Sequence, residues 1–183
     1  IGRCYTYQNI LFSLSQPAFE RAAGTTYDEL VGERLFRPLG MVDASLGLQA
    51  YLDAGNRAWP HVRKDEVWQA VDVTPGYYQV APAAGVNASV TDMARWLMAQ
   101  MGSHPDVVSA EHVADLTRRR VVTPRELQRR GWKGLLTDAH YGLGWRLYTL
   151  GEDEIVMHSG WVRGFVADIS YSPRHRTGLV VLL

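Results

Sequence analysis

A chain of 183 residues and 20.5 kDa can bury a sizeable core and still be one domain. Nineteen basic residues balance nineteen acidic ones, so no global field attracts nucleic acid or an anionic membrane, and 46% hydrophobic with 21% charged residues excludes a disordered chain. No apolar run approaches the ~20 residues that span a bilayer, and the single cysteine, Cys4, excludes an internal disulfide and is expected as a small buried hydrophobe.

From Tyr7 to Ala23 the apolar residues Ile10, Leu11, Leu14, Ala18 and Ala22 recur every three or four positions, which predicts a helix. Pro17 predicts a break in it near Ser13, and Gly24 ends it. Thr26-Tyr27-Asp28-Glu29 reads as a capping box opening a second helix through Leu35, which Pro38 stops. Residues 46–88 have no sustained period and read as long loops with two short strands. Ser89 caps a helix whose Met93, Leu97 and Met101 share a face and which Gly102 terminates. A shorter helix begins at Ser109, and the arginines around Arg118-Arg119-Arg120 read as a solvated helix end. Leu143, Trp145, Leu147 and Thr149 then alternate as in a strand, followed by strands over 154–158, 165–171 and 179–183. Helices first and an antiparallel sheet afterwards is an α+β order. The expected organisation is a single domain, mainly helix and loop over 1–139 and sheet over 140–183.

The chemical signals are short. Tyr7-Gln8-Asn9 stands near the start and His158-Ser159-Gly160 near the end. Each alone is weak. A buried tyrosine usually bonds a backbone carbonyl, an asparagine at a helix start usually caps it, and a strand histidine is usually structural. A series of further matches in order strengthens them. Glu20 and Gly24 follow Tyr7 at fitting offsets, and Phe36-Arg37-Pro38-Leu39-Gly40-Met41 comes next. Pro82-Ala83-Ala84-Gly85-Val86 with Ser89 and Asp92, then Tyr141-Gly142-Leu143-Gly144-Trp145, and finally Gly164-Phe165 complete the set.

Over nearly the whole chain this series resembles the serine β-lactamase and penicillin-binding-protein superfamily. The likeness is best to its class C β-lactamase branch, which also holds DD-peptidases, D-aminopeptidases and esterases. The resemblance implies a β-lactamase/transpeptidase-like fold, with a helical lobe and an antiparallel sheet, here incomplete at both ends. It implies a serine hydrolase that acts through an acyl-enzyme on an amide or ester of a small molecule or peptide, and export to the bacterial periplasm or secretion.

The departures matter as much. The superfamily's nucleophile lies in a Ser-x-x-Lys, and the chain has two lysines, Lys64 and Lys133, preceded at that spacing by His61 and Arg130. The nucleophile is therefore expected from a region absent from this chain, and the chain alone is expected to be inactive. Ala44 and Ala84 also differ from the pattern, with Ser45 able to take over a polar role. His158 replaces the lysine of the β-lactamase triplet, as in peptidase-like and esterase-like relatives.

By resemblance, the Tyr7 phenol is the base, acting with the absent lysine, and Asn9 donates to the substrate carbonyl. Holding a phenol as phenolate at neutral pH takes roughly 4 kcal/mol of preference, and one cation at ~4 Å supplies about that much before desolvation. His158, if protonated, would be one such cation. Ser159 and Gly160 offer a strand edge to the substrate backbone, Trp161 offers its backbone N–H as half an oxyanion hole, and Arg163 could meet a substrate carboxylate. None of the six histidines has metal-ligand spacing, so neither a metal nor a cofactor is expected. The rival from another class is a catalytically inactive ligand-binding or sensor module of the same fold. The strand at 179–183 is expected to leave an apolar face or an unpaired edge, to be covered by the missing N- and C-terminal segments of the same protein.

Overall fold

The computed structural model describes residues 4–183, which form an α+β fold. By backbone contacts they divide into two compact units. The first comprises the N-terminal segment through Tyr7, Trp96–Ser159 and Asp168–Val181; the second comprises Gln8–Arg95, Gly160–Ala167 and Leu182–Leu183.

In the second unit, α1 (Asn9–Ser13) and α2 (Gln16–Ala23) are separated by a turn at Leu14 and Ser15, where Pro17 predicts the break. Proline is tolerated in the first turn of α2 because its missing donor would be unpaired there in any case. Glu20 then accepts from Gln16 Nε2 at 2.9 Å and from the backbone N–H of Tyr27 at 3.1 Å, tying α2 to α3 (Tyr27–Val31). The expected capping box is formed: the Thr26 side chain and the Glu29 carboxylate each satisfy the other's backbone donor. The helix then widens into a π turn over Gly32–Phe36, with the N–H of Arg37 reaching the Gly32 carbonyl at 2.9 Å. Beyond it Leu39 and Met41 are buried.

Residues 46–88 hold more regular structure than their lack of period suggests. β1 (Ser45–Leu46) pairs with β4 (Val86–Asn87), α4 spans Leu48–Asp53, and β2 (His61–Lys64) pairs with β3 (Val67–Ala70) in a hairpin. A 3-10 turn over Pro75–Val80 leads into α5 (Ala81–Ala84), which packs with α1. Two short strands are expected in this region, but the hairpin could not be placed from the sequence because its turn holds Asp65 and Glu66 at φ 48° and 66°, a conformation usually signalled by Asn-Gly.

α6 (Val90–Gln100) starts at Ser89, whose hydroxyl accepts from the N–H of Asp92 at 3.2 Å while the buried Asp92 carboxylate accepts from the N–H of Ser89. In the first unit α7 (Ala110–Leu116) is capped by Ser109, as expected. The main sheet has the order β10-β9-β8-β7-β6-β5 and is antiparallel at the β5–β6, β6–β7 and β7–β8 pairings. Its strands are β5 (Val121–Val122), β6 (Asp138–Tyr141), β7 (Arg146–Leu150), β8 (Asp153–Val162), β9 (Phe165–Ser172) and β10 (Thr177–Leu182). β5 lies, and β6 begins, upstream of residue 140, the expected start of the sheet portion.

The alternation from Leu143 is not a strand at its start. Residues 142–145 turn the chain from β6 into β7, and Gly142 sits where an added Cβ would lie 2.2 Å from the Leu116 carbonyl oxygen. Cys4 is exposed rather than buried, because it lies on the N-terminal segment and not inside an element. A small core of Leu136, Ala139, Tyr148 and Met157 fills one face of the central strands, with Trp132 edge-on to Tyr148 at 5.4 Å. β10 is the outermost strand, and Leu179 within it and Leu183 just beyond it are 60% and 76% exposed.

Candidate active site

Tyr7 and His158 meet within the first unit. Their rings stack with centroids 5.8 Å apart and planes inclined by 30°. Tyr7 is half exposed, which is not the state of a core tyrosine. His158 lies on β8, and its Nε2 is 3.1 Å from the Tyr141 hydroxyl at the end of β6. Tyr141 in turn carries the Tyr5 ring at 4.7 Å. Three tyrosines and a histidine thus gather at one end of the central strands.

Register across those strands sets the electrostatics. Arg146 on β7 stands directly opposite Tyr141 on β6 and opposite Met157, the residue before His158, on β8. Its guanidinium lies 5.7 Å from the Tyr141 ring centre and donates to Glu126 at 2.9 Å, both side chains being almost wholly buried. Glu126 sits in the 3-10 turn Pro124–Gln128, and its other oxygen accepts from Arg129 at 2.9 Å and from the Tyr148 hydroxyl at 2.5 Å.

Burial, and then the positive charge of Arg146, hold the His158 imidazole below its ordinary range, against a backbone hydrogen bond with Ser159 that favours the charged form. His158 is therefore a neutral ring at neutral pH. That corrects the expectation that it could be a cation supporting a Tyr7 phenolate; the cation beside the cluster is Arg146. Burial also raises Tyr141, with smaller contributions from Tyr5 and Tyr7, so its phenol keeps its proton. With Tyr141 protonated and His158 neutral, the two share a hydrogen bond whose direction follows the imidazole tautomer.

The remaining predicted residues are placed as follows. Ser159, Gly160 and Trp161 continue β8 beyond His158, with Trp161 70% exposed. Arg163 is exposed at the tip of the hairpin joining β8 to β9 and, among the described residues, makes no ion pair. The hairpin tip is fixed within the second unit, where the N–H of His61 donates to the Gly164 carbonyl at 3.1 Å. Gly164 has φ 86°, and an added Cβ would lie 2.4 Å from Pro60. Asn9 is the first residue of α1 and is exposed; the cap is Gln8, whose side chain accepts from the N–H of Leu11. Asn9 is thus not spent on capping. Ser159 belongs to the first unit with Tyr7 and His158, and Asn9, Gly160, Trp161 and Arg163 to the second.

Sequence reasoning missed Tyr5, Arg146 and Glu126. Tyr141 was noticed only as part of a matching string. No local signal marks Arg146, since its importance comes from three-strand register. In the second unit Ser45 accepts from Asn87 Nδ2 at 3.2 Å, and Tyr78 donates to the Asn87 oxygen at 2.7 Å, so Ser45 does hold a polar position after the Pro-Leu-Gly-Met turn.

A family model described as Beta-lactamase matches residues 1–183, and the chain belongs to that family. Its fold and sequence place it in the serine β-lactamase and penicillin-binding-protein superfamily. Among curated proteins it is 25% identical over 171 residues to an unguisins hydrolase of Aspergillus campestris, covering 92% of this chain and 31% of that protein. An unguisins hydrolase of Aspergillus violaceofuscus is 27% identical over 199 residues, covering 97% and 34%. The chain thus spans about a third of the length of these curated relatives. Among solved structures, an octameric penicillin-binding protein homologue from Pyrococcus abyssi superposes with a TM-score of 0.80 at 22% identity, covering 99% of this chain and 39% of that one. The D-amino acid amidase of Ochrobactrum anthropi gives 0.72 at 18% identity, covering 98% and 49%.

Proposed function

We propose that the complete protein is a serine hydrolase that cleaves an amide or ester through an acyl-enzyme, with its nucleophile in a Ser-x-x-Lys outside this chain. The observation that carries this reading is the stacking of Tyr7 on His158, two residues far apart in sequence that the resemblance assigns to one site. The hydrolase names of the curated relatives support the same reaction class.

In this reading Tyr7, held as phenolate with the lysine of the Ser-x-x-Lys, takes the proton of the serine hydroxyl as its oxygen attacks the substrate carbonyl carbon. The oxyanion that forms is met by the backbone N–H of Trp161 and by the N–H of the nucleophile itself. Tyr7 returns the proton to the leaving amine or alcohol as the carbonyl re-forms, and water then releases the acyl group by the same steps. Asn9 orients the acyl-side carbonyl, and Ser159 and Gly160 border the substrate backbone. Arg163, exposed and without an ion-pair partner among the described residues, is free to meet a carboxylate at the far end of a substrate. A neutral His158 gives the triplet no charge with which to hold an anion, which favours peptidase or esterase chemistry over a dedicated β-lactamase.

Covalent labelling of the complete protein by fluorophosphonate and penicillin probes tests this. Labelling at a serine followed three residues later by lysine is expected, together with the slow turnover or hydrolysis that marks an acyl-enzyme. A folded complete protein that neither probe labels would leave the inactive ligand-binding module as the surviving reading.

A further inference from the structure

Tyr7 stands on a segment that no backbone ladder holds. Residues 4–7 lie in no helix or strand, and within the first unit, among the described residues, their backbone makes no hydrogen bond. Cys4, Thr6 and Tyr7 are exposed, whereas Tyr5 is partly buried. The Tyr5 ring lies on that of Tyr141, with centroids 4.7 Å apart and planes inclined by 37°. The Tyr7 ring lies on that of His158 at 5.8 Å. Tyr141 and His158 meet edge to face at 6.0 Å and share a hydrogen bond of 3.1 Å. Tyr5 and Tyr7, two residues apart, therefore turn to one side of the segment and seat on two rings that β6 and β8 bring together.

We propose that Tyr5 is a positioning residue for Tyr7: its ring, seated on Tyr141, fastens the N-terminal segment and so keeps the Tyr7 phenol over His158. Its catalytic consequence rests on the hydrolase reading, in which Tyr7 is the base.

Three features combine. Ordering a stretch of chain costs backbone entropy that some contact must offset, and here side chains are left to do it. Tyr5 is the stronger holdfast of the two, because its ring is the more buried and its ring pair the closer, 4.7 Å against 5.8 Å. The Tyr5 hydroxyl is buried and makes no hydrogen bond of good geometry among the described residues, so the ring and not the hydroxyl does the holding. Only Thr6 separates this holdfast from the phenol, and a displacement of about 1 Å at a reacting group can cost ~10²-fold in rate.

The test compares wild type, Tyr5→Phe, Tyr5→Leu and Tyr5→Ala in the complete protein by two readouts. One is the set of NMR cross-peaks between the ring protons of Tyr7 and His158; the other is the kinact and KI of fluorophosphonate labelling. Wild type and Tyr5→Phe are expected to show the cross-peaks and the same kinact. Tyr5→Leu and Tyr5→Ala remove the ring with and without most of its bulk, so that one folded variant suffices. Either is expected to lose the cross-peaks and to fall about 10²-fold in kinact with KI unchanged, a split that a loss of stability alone would not produce. Cross-peaks kept in a folded Leu or Ala variant, lost in Tyr5→Phe, or absent from wild type overturn the proposal. Cross-peaks lost while kinact holds would uphold the positioning and remove Tyr7 as the base. The cross-peaks need no turnover, so a complete protein that no probe labels would sink the hydrolase reading and leave this result standing.

Discussion

Glu20 and His158 both belong to the series of short motifs, one in the helical region and the other on β8, and their partners differ in kind. Glu20 spends its carboxylate on a backbone N–H that joins two helices. Thr26, Glu29, Ser89 and Asp92 likewise satisfy helix-terminal backbone groups, and Gln8 spares Asn9 from doing so. These residues are explained by the first-turn donors that every helix leaves unpaired. Tyr7 and His158 satisfy no such need: one ring is half exposed, and the other shares a hydrogen bond with another side chain. Motif residues in the helical region hold the backbone, and those at the strand end hold one another. A match of residue types alone does not separate the two; the partner of each polar atom does.

Breaking the strand-end cluster should cost far more than breaking a cap. Glu126→Gln removes the charge that holds the almost buried Arg146, and should destabilise the protein by about 3–5 kcal/mol at neutral pH, read from urea midpoints. Burial raises the Glu126 carboxyl, but hydrogen bonds from Tyr148 and Arg129 and the charges of Arg146 and Arg129 outweigh it and hold it below its ordinary value. A depressed folded value means stability that is fully present above the unfolded value near ~4.3 and lost as pH falls through the folded one. The gap between wild type and Glu126→Gln should therefore narrow in acid below that point, and a gap independent of pH would contradict the pairing.

Gly142→Ala should lower stability by roughly 2–4 kcal/mol, because the new methyl meets a backbone oxygen at 2.2 Å, and either the turn or α7 must move. Gly160→Ala is the contrast, since its Cβ would meet Ala167 at an ordinary 3.8 Å and should change stability by less than about 0.5 kcal/mol. Equal melting shifts for the two would mean that Gly142 is not packed as described. The smallest expected effect is Thr26→Ala, about 1 kcal/mol from loss of the capping box.

Much of the helical region was legible because caps and breaks are local chemistry. Pro17, Gly24, Thr26, Ser89 and Ser109 each act on a neighbour within a turn, and the helices start and stop where they indicate. α4 was not legible, since its six residues Leu48–Asp53 are too few to establish a period. The string 143–149 misled because the Gly142–Trp145 turn happens to continue the alternation of β7. At the site, Tyr7 and His158 were readable only through family likeness. Arg146 and Glu126 were not readable at all, because an arginine on a strand looks exposed until cross-strand register sets it beside a carboxylate from another element.

The most direct measurement is a double-mutant cycle on the rate of fluorophosphonate labelling of the complete protein, with Tyr7→Phe, His158→Ala and the combination. Two groups in contact within one reacting site should couple, so the combined loss should depart from the sum of the single losses by about 0.5 kcal/mol or more. Strict additivity, or full-rate labelling of Tyr7→Phe, would show that the stacked pair at the end of β8 is not where the chemistry happens.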